Sequence, residues 1–360
     1  MLGPGSADHI RAWTLPKRLQ NLACEVGRPA LTRYYAIAGR SLCVEALDEG
    51  SATLSENFLK DFYLVRLTDG FVSKPSYTIK IRSRETPPSV PDGLEGFEVA
   101  FGHCYVNGHC YYLEVEESLV VVRSQSEQLI DVWIGRSAYA RQPLSLVNVL
   151  SYVLEAALRR CGLYQLHGSG VVEPKTNSCA LMIGESGSGK STLATLLAAR
   201  GWSYLTDDAL LLNHEEDVVR ARGMRKFFAA SERTLAACRL PEIISALGPP
   251  ITSDPSKRRL EPEIAFPGRA KESCIPGLLL FTSITNKPKS VISSLSSGEA
   301  MARLIRFNPW ASYDKATARE HLRLLSRLAN QCQSFSLGAG LDVLAEPSYA
   351  EELLTPLLKP

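Results

Sequence analysis

No stretch of about eighteen uncharged apolar residues occurs in the 360-residue chain, so no helix is expected to span a membrane. Charge of either sign is not in excess: 40 Lys and Arg stand against 38 Asp and Glu, a formal net charge of +2. No long basic run stands out, which argues against a nucleic-acid partner. Met1 to Trp13 carries polar and charged residues where an export signal needs an apolar core. The nine cysteines are scattered and odd in number. Without an export signal they are expected to be reduced thiols in a cytoplasmic protein. No internal repeat is visible. What is present is ordinary for a soluble globular protein, with 45% hydrophobic and 22% charged residues. The length is comfortable for two domains.

Residues 1–32 form a segment with no clear period; a short helix is expected near Leu19 to Cys24. From residue 33 to 140 the chain reads as a strand-rich accessory domain. Tyr34 to Ala38, Gly39-Arg40 and Ser41 to Leu47 spell a hairpin. Tyr77, Ile79 and Ile81 alternate with polar residues, as in a half-buried strand. Phe101 to Leu113 carries Asn107-Gly108 between two strand-like runs, a strong hairpin signal. Ser118 to Arg123 and Leu129 to Ile134 are further strands. His103-Cys104 and His109-Cys110 flank the Asn107 turn and hold soft zinc ligands. Pairing 106 with 109 puts Cys104 and His109 on one face and His103 and Cys110 on the other, so four ligands do not converge there. Pro143 opens a long helix with an apolar stripe of Leu146, Val147, Leu150, Val153, Leu154, Ala157 and Leu158, closed by Gly162. The domain boundary is placed here, at 141. Beyond it, Leu278 to Ser283 is an apolar strand, and Gly298 to Arg306 and Lys315 to Gln331 are helices. A last helix begins near Pro347.

The chain is organised around Gly184-Glu185-Ser186-Gly187-Ser188-Gly189-Lys190-Ser191, which fits the phosphate-binding pattern G-x-x-x-x-G-K-[ST]. The glycines permit backbone conformations that a side chain forbids, so successive N–H groups can form a nest for phosphate oxygens. Lys190 supplies charge to the outer phosphates and Ser191 suits magnesium. Ser178 to Ile183 upstream reads as a buried strand. Leu193, Leu196 and Leu197 downstream share one helix face, and Gly201 ends that helix. Thr192 belongs to the same nucleotide-binding stretch, at the front of a helix whose N-terminus points at the phosphates.

Asp207-Asp208 follows this helix, bounded by apolar residues on both sides. Two adjacent carboxylates there suit magnesium binding and acceptance of a proton from an attacking hydroxyl; the alternative is a solvated turn. His167 precedes two glycines a short distance before the loop, as a structural histidine or as one near the phosphates. Arg222, Arg225 and Lys226 form one basic group and Lys257, Arg258 and Arg259 a second. Either can stabilise a transferring phosphoryl group or be a solvated face.

The set His167-Gly168, Gly184 to Ser191, Arg200-Gly201 and Asp207-Asp208 resembles the catalytic core of the HPr kinase/phosphorylase family. The spacing from His-Gly to Asp-Asp is the specific part, and the resemblance covers about 60 residues, from 165 to 225. It implies an α/β fold, a P-loop kinase core of the HPr kinase and phosphoenolpyruvate carboxykinase type over 141–360. It also implies Lys190 on phosphate, Ser191 and Asp208 on magnesium, and Asp207, Asp208, His167 and Lys190 as catalytic residues. The reaction implied is transfer of a phosphoryl group from ATP, or another donor, to a serine hydroxyl. Two departures stand out. Arg220 occupies the position where the family places a Glu before Arg222-Gly223, a residue that would otherwise be a metal contact. The later signature tied to phosphorylase activity has no clear match. The chain therefore looks like a kinase-only relative, a group that includes kinases tailoring peptide precursors such as lasso peptides. A peptide or protein hydroxyl is the expected acceptor, with no nucleic acid or membrane as partner; a homo-oligomer is compatible with this.

Rival readings are a nucleotide-hydrolysing switch or motor and a small-molecule kinase. Asn286-Lys287-Pro288-Lys289 follows the apolar strand, but a guanine-binding loop wants Asp where Lys289 stands. No Leu-Ser-Gly-Gly-Gln segment marks a transporter ATPase. Residues 33–140 also offer strand edges that could add an extended peptide by backbone pairing.

Overall fold

The computed structural model describes residues 29–358 except 69–73, 109, 124–125, 142, 238, 240, 245–246, 252–253 and 286. The short helix expected near Leu19 to Cys24 lies outside the described residues. Among those described, the chain builds two nine-stranded sheets and one of three strands. It is a mixed α/β structure.

The first sheet comprises β1 (Leu31–Ile37), β2 (Arg40–Ala46), β3 (Val65–Leu67), β4 (Tyr77–Arg84), β5 (Glu95–Val99), β6 (Gly102–Asn107), β7 (Cys110–Val115), β8 (Ser118–Val122) and β9 (Leu129–Gly135). Their order is β3-β1-β2-β4-β9-β8-β7-β6-β5. The hairpins expected at Gly39 and Gly108 form, each with its turn displaced by one residue, since Ile37 pairs with Arg40 and Asn107 with Cys110; both glycines take positive φ. The second hairpin pairs Asn107 with Cys110 and Val106 with Tyr111, so each partner lies two residues from the one that the expected 106 to 109 pairing gives. The facing is unchanged, because period-2 alternation survives a shift of two. No group of three or more His, Cys, Asp or Glu side chains suited to a metal occurs among the described residues. Helix α1 (Glu49–Leu59), which the sequence reading missed, is capped by Asp48, whose carboxylate accepts from Ser51 N at 2.9 Å. It lets β2 and β4 pair in parallel, since parallel neighbours need a crossover.

Helix α2 (Pro143–Arg160) runs as predicted to Gly162, which takes positive φ. Its stripe, with Leu146, Leu150, Val153 and Leu158 buried, packs in one core with Ile79, Ile81 and Val132 of the first sheet. The same core takes in Ala209 and Leu211 from the next sheet and Met224 just beyond β14. A buried ion cluster closes the far end of this helix. Asp314 accepts from Arg159 Nε at 3.0 Å and from Arg160 at 2.6 and 3.2 Å.

The second sheet is built from β10 (Tyr164–Val172), β11 (Cys179–Ile183), β12 (Ser203–Thr206), β13 (Ala209–Glu215), β14 (Val218–Gly223), β18 (Ser273–Cys274), β19 (Pro276–Ile284), β20 (Val291–Leu295) and β21 (Gln333–Ala339). The order is β18-β14-β13-β10-β11-β19-β21-β20, with β12 also on β10. β11, β19 and β21 are parallel. Helix α3 (Lys190–Ala199) covers one face; α4 (Ser297–Arg306) and α5 (Ala318–Gln331) cover the other. The last helix, α6 (Pro347–Leu354), joins α3. Between them, β15 (Phe228–Ala230), β16 (Leu247–Ile251) and β17 (Asp254–Leu260) make the small third sheet. The expectation of reduced thiols fails at one pair: Cys179 and Cys274, 95 residues apart, are joined as a disulfide. Strand pairing sets Cys179 opposite Pro276 and so brings the two sulfurs together, which spacing in the sequence does not show. Cys43, Cys104, Cys161 and Cys332 are free thiols.

Candidate functional site

The loop after β11 takes the shape its glycines allow. Gly187 and Gly189 have φ of 80° and 91°, a region that costs a side chain energy. Gly184 does not share that conformation. It is needed for space, since a Cβ there would stand 2.5 Å from Ser188 Oγ and from Thr282 O. Ser188 is buried and exchanges a hydrogen bond with Thr282 at 3.1 Å. Lys190, 5% exposed, folds under the loop and donates to Gly184 O and Glu185 O, both at 2.8 Å. Burial pulls its pKa down, and Asp208 opposes that shift. Glu185, Ser186 and Gly187 are exposed, and Glu185 meets Arg306 at 3.0 Å. α3 ends at a Schellman-type turn in which Trp202 N donates to Leu197 O and Gly201 takes positive φ.

Asp207 and Asp208 lie where the chain leaves β12 and enters β13, alongside β10. Gly170 pairs with Thr206 and His167 with Ala209, so the two acids sit opposite Gly168 and Ser169. The fit is close: a Cβ on Gly168 would fall 2.6 Å from Met182 O. Gly168 N donates to Asp208 O at 2.9 Å, and Ser169 Oγ donates to Asp207 O at 2.6 Å. Ser191 Oγ approaches that same carbonyl at 3.4 Å. The loop and the acid pair therefore share one edge of the sheet.

The two acids differ. Asp207 is 1% exposed; its Oδ2 accepts from Ala229 N at 2.8 Å, while its buried Oδ1 has no partner. Burial first, and then the charge of Asp208, push its carboxyl up to about 7. Asp208 is partly exposed. Its Oδ1 lies 3.2 Å from His167 Nδ1 and its Oδ2 2.7 Å from Arg225 Nη1. Loss of solvent lowers the His167 pKa, as do the nearby charges of Lys190, Arg225 and Lys257, against the pull of Asp208. A neutral imidazole with its proton on Nδ1 donates to Asp208 and leaves Nε2 free.

Of the basic residues, Arg225 alone is hydrogen-bonded to the acid pair. The segment between α1 and β3 helps to aim it: Tyr63 N donates to Met224 O at 2.9 Å and Lys226 N to Asp61 O at 2.8 Å. Phe62 and Phe227 lie under its guanidinium, 5.9 and 5.3 Å away. Arg222 turns instead to Glu215 and Glu272. Arg220 is tied to Glu215 at 2.6 Å, so its charge is met from the neighbouring strand β13. Arg259 grips Asp61 at 2.7 Å, Arg258 caps Gly248 O, and Lys257 pairs with Asp254. Glu155 of α2 escaped the sequence reading. Burial pushes its carboxyl up to about 7, with Arg159, Arg225 and Asp208 as charged neighbours. The available signal was an acid set within an apolar helix stripe.

The oxygens gathered at this edge fit magnesium, which takes few protein carboxylates and completes its shell from phosphates and water. Asp207 Oδ1, buried and unpartnered, is an oxygen in need of a partner. Comparison with protein-family models and with curated proteins finds no match. Among solved structures, the Hpr(Ser) kinase/phosphatase from Coxiella burnetii is a weak structural neighbour. It covers 36% of this chain and 76% of that chain, at 18% identity and a TM-score of 0.23. At that score the likeness carries no argument about activity. No helix among the described residues is long and apolar enough to cross a membrane.

Proposed function

We propose that the chain is a phosphotransferase that moves a phosphoryl group from ATP to a hydroxyl, of the serine type, on a peptide or protein. The observation that carries this reading is the placement of Asp208. Its carboxylate is held from two sides by His167 and Arg225, on the same sheet edge as the glycine nest with Lys190 and Ser191. In such reactions most of the catalysis is positioning and charge compensation. The loop N–H groups and Lys190 would grip the polyphosphate. Asp208, the more accessible acid, would accept the proton of the incoming hydroxyl. Arg225 would both orient that acid and face charge developing on the transferred group. Magnesium, when bound through Ser191, Asp208 and the unpartnered oxygen of Asp207, would offset the charge on the phosphates.

Mass spectrometry of serine-containing peptides, after incubation with ATP and magnesium, tests the proposal. One added phosphate per peptide is expected. Lys190→Ala and Asp208→Asn should each lower transfer by about 10²–10³, the usual effect of removing one aligned electrostatic group. Full activity in both variants would refute the assignment. Release of inorganic phosphate with no peptide labelled would favour a hydrolytic switch or motor instead.

A further inference from the structure

The order of the second sheet divides the surroundings of the phosphate loop. β10 and β13 lie on one side of β11; β10 carries His167, and Asp208 immediately precedes β13. β19 and β21 lie on the other side and run parallel to β11, so their carboxyl ends open on the same edge as the loop. In open α/β sheets, ligands gather outside the carboxyl ends of the strands. At that place a cleft of about 100 Å³ borders Gly189 and Thr192 of the loop and first helical turn. Its floor includes Leu337 and Val343, both buried. At its mouth stand Ile284 and Leu341, 60% and 56% exposed. Ile284 reaches the loop: a Cβ on Gly189 would lie 3.5 Å from Ile284 Cγ1.

Three polar groups at the cleft are engaged within the protein. Thr285 Oγ1 donates to Ala339 O at 3.1 Å, and Gly340 N to Ser290 Oγ at 2.9 Å. Asp342, the acid beside the cleft, is taken up by Ser290 N and Oγ at 2.7 and 2.6 Å. The segment after β19 packs here as well, for a Cβ on Gly340 would fall 2.5 Å from the Lys289 carbonyl carbon. Lys289 stands where a guanine reader needs an acid. A nucleoside triphosphate whose phosphates fill the glycine nest has one flank occupied by the acceptor machinery. Its remaining part must leave along the other flank, where exposed aliphatic side chains adjoin the loop.

We propose that this cleft seats the base of the donor nucleotide against Ile284 and Leu341. Lacking, among the described residues, a free acid to read the base edge, it accepts adenine and guanine alike. The proposal rests on the reading that the loop binds a nucleoside triphosphate. Calorimetric titration of the full chain with ATP, GTP and inorganic tripolyphosphate, each with magnesium, tests it. ATP and GTP should bind comparably. Leu341→Ala and Ile284→Ser should each weaken both nucleotides by about tenfold, the scale of a lost apolar contact, and leave tripolyphosphate affinity unchanged. Both side chains are exposed, so neither change opens a cavity in the core. Unaltered ATP affinity in both variants, with tripolyphosphate still bound, overturns the cleft and leaves the loop reading standing. Preference above about tenfold for one purine overturns the tolerance. A chain that binds neither ATP nor tripolyphosphate overturns the loop reading and this proposal together.

Discussion

Replacing Asp207 by Asn should spare the protein the stability that the parent loses as the pH rises, while its transfer activity falls. Asp207 is 1% exposed, with one carboxylate oxygen unpartnered, and its carboxyl is pushed from 3.8 up to about 7. Between those values the folded state binds a proton that the unfolded state has released, so stability declines as pH increases and levels off above about 7. Each pH unit crossed costs about 1.4 kcal/mol. From pH 5 to pH 8 the parent should therefore lose roughly 2–3 kcal/mol that the neutral Asn variant keeps. Measuring the change between two pH values cancels any fixed difference between Asp and Asn. It also cancels Glu155, which titrates in the same range in both proteins. Urea unfolding at pH 5 and pH 8, read by circular dichroism, gives the quantity directly. An advantage of Asp207→Asn that stays flat across this range, or shrinks with rising pH, refutes the claim that a charged carboxylate is held there against its solvation.

Two further expectations concern the frame around the site. Asp314→Asn should strip the counter-charge from buried Arg159 and Arg160 and lower stability by about 3–5 kcal/mol; a loss below about 1 kcal/mol in urea unfolding would mean that water reaches the cluster. Gly223→Ala places a Cβ 2.2 Å from Leu205 O, so β12 and β14 must part at a cost of about 1–3 kcal/mol. An unchanged thermal midpoint would show that this contact is slack.

Much of the local structure was legible because it rests on short-range physics. Positive-φ glycines mark the turn at Gly39 and the ends of helices at Gly162 and Gly201. Alternation marks β4, and the stripe from Leu146 to Leu158 marks α2. The loop at Gly184 to Ser191 was visible as a pattern, yet the separate roles of its glycines were not, since Gly184 answers to Thr282, distant in the chain. Helix α1 was missed because only three of its residues, Ser51, Ser55 and Leu59, are buried. With so narrow and polar an inner face, the hydrophobic period is weak.

The six basic side chains near the acid pair could not be ranked from their sequence positions. Arg225 was one candidate among equals until strand pairing brought residues 61–63 against 224–226 and turned it to Asp208. The disulfide between Cys179 and Cys274 and the contrast between Asp207 and Asp208 have the same origin.

From its residues alone, the chain determined a glycine nest before a helix, a neighbouring acid pair and the hairpins of a strand-rich half, because backbone conformation and side-chain period act over a few residues. Which acid is buried, which arginine meets the other, and where an apolar cleft adjoins the loop were decided by the order of strands. Burial and charge pairing are set by neighbours in space, and those neighbours lie far apart along the chain.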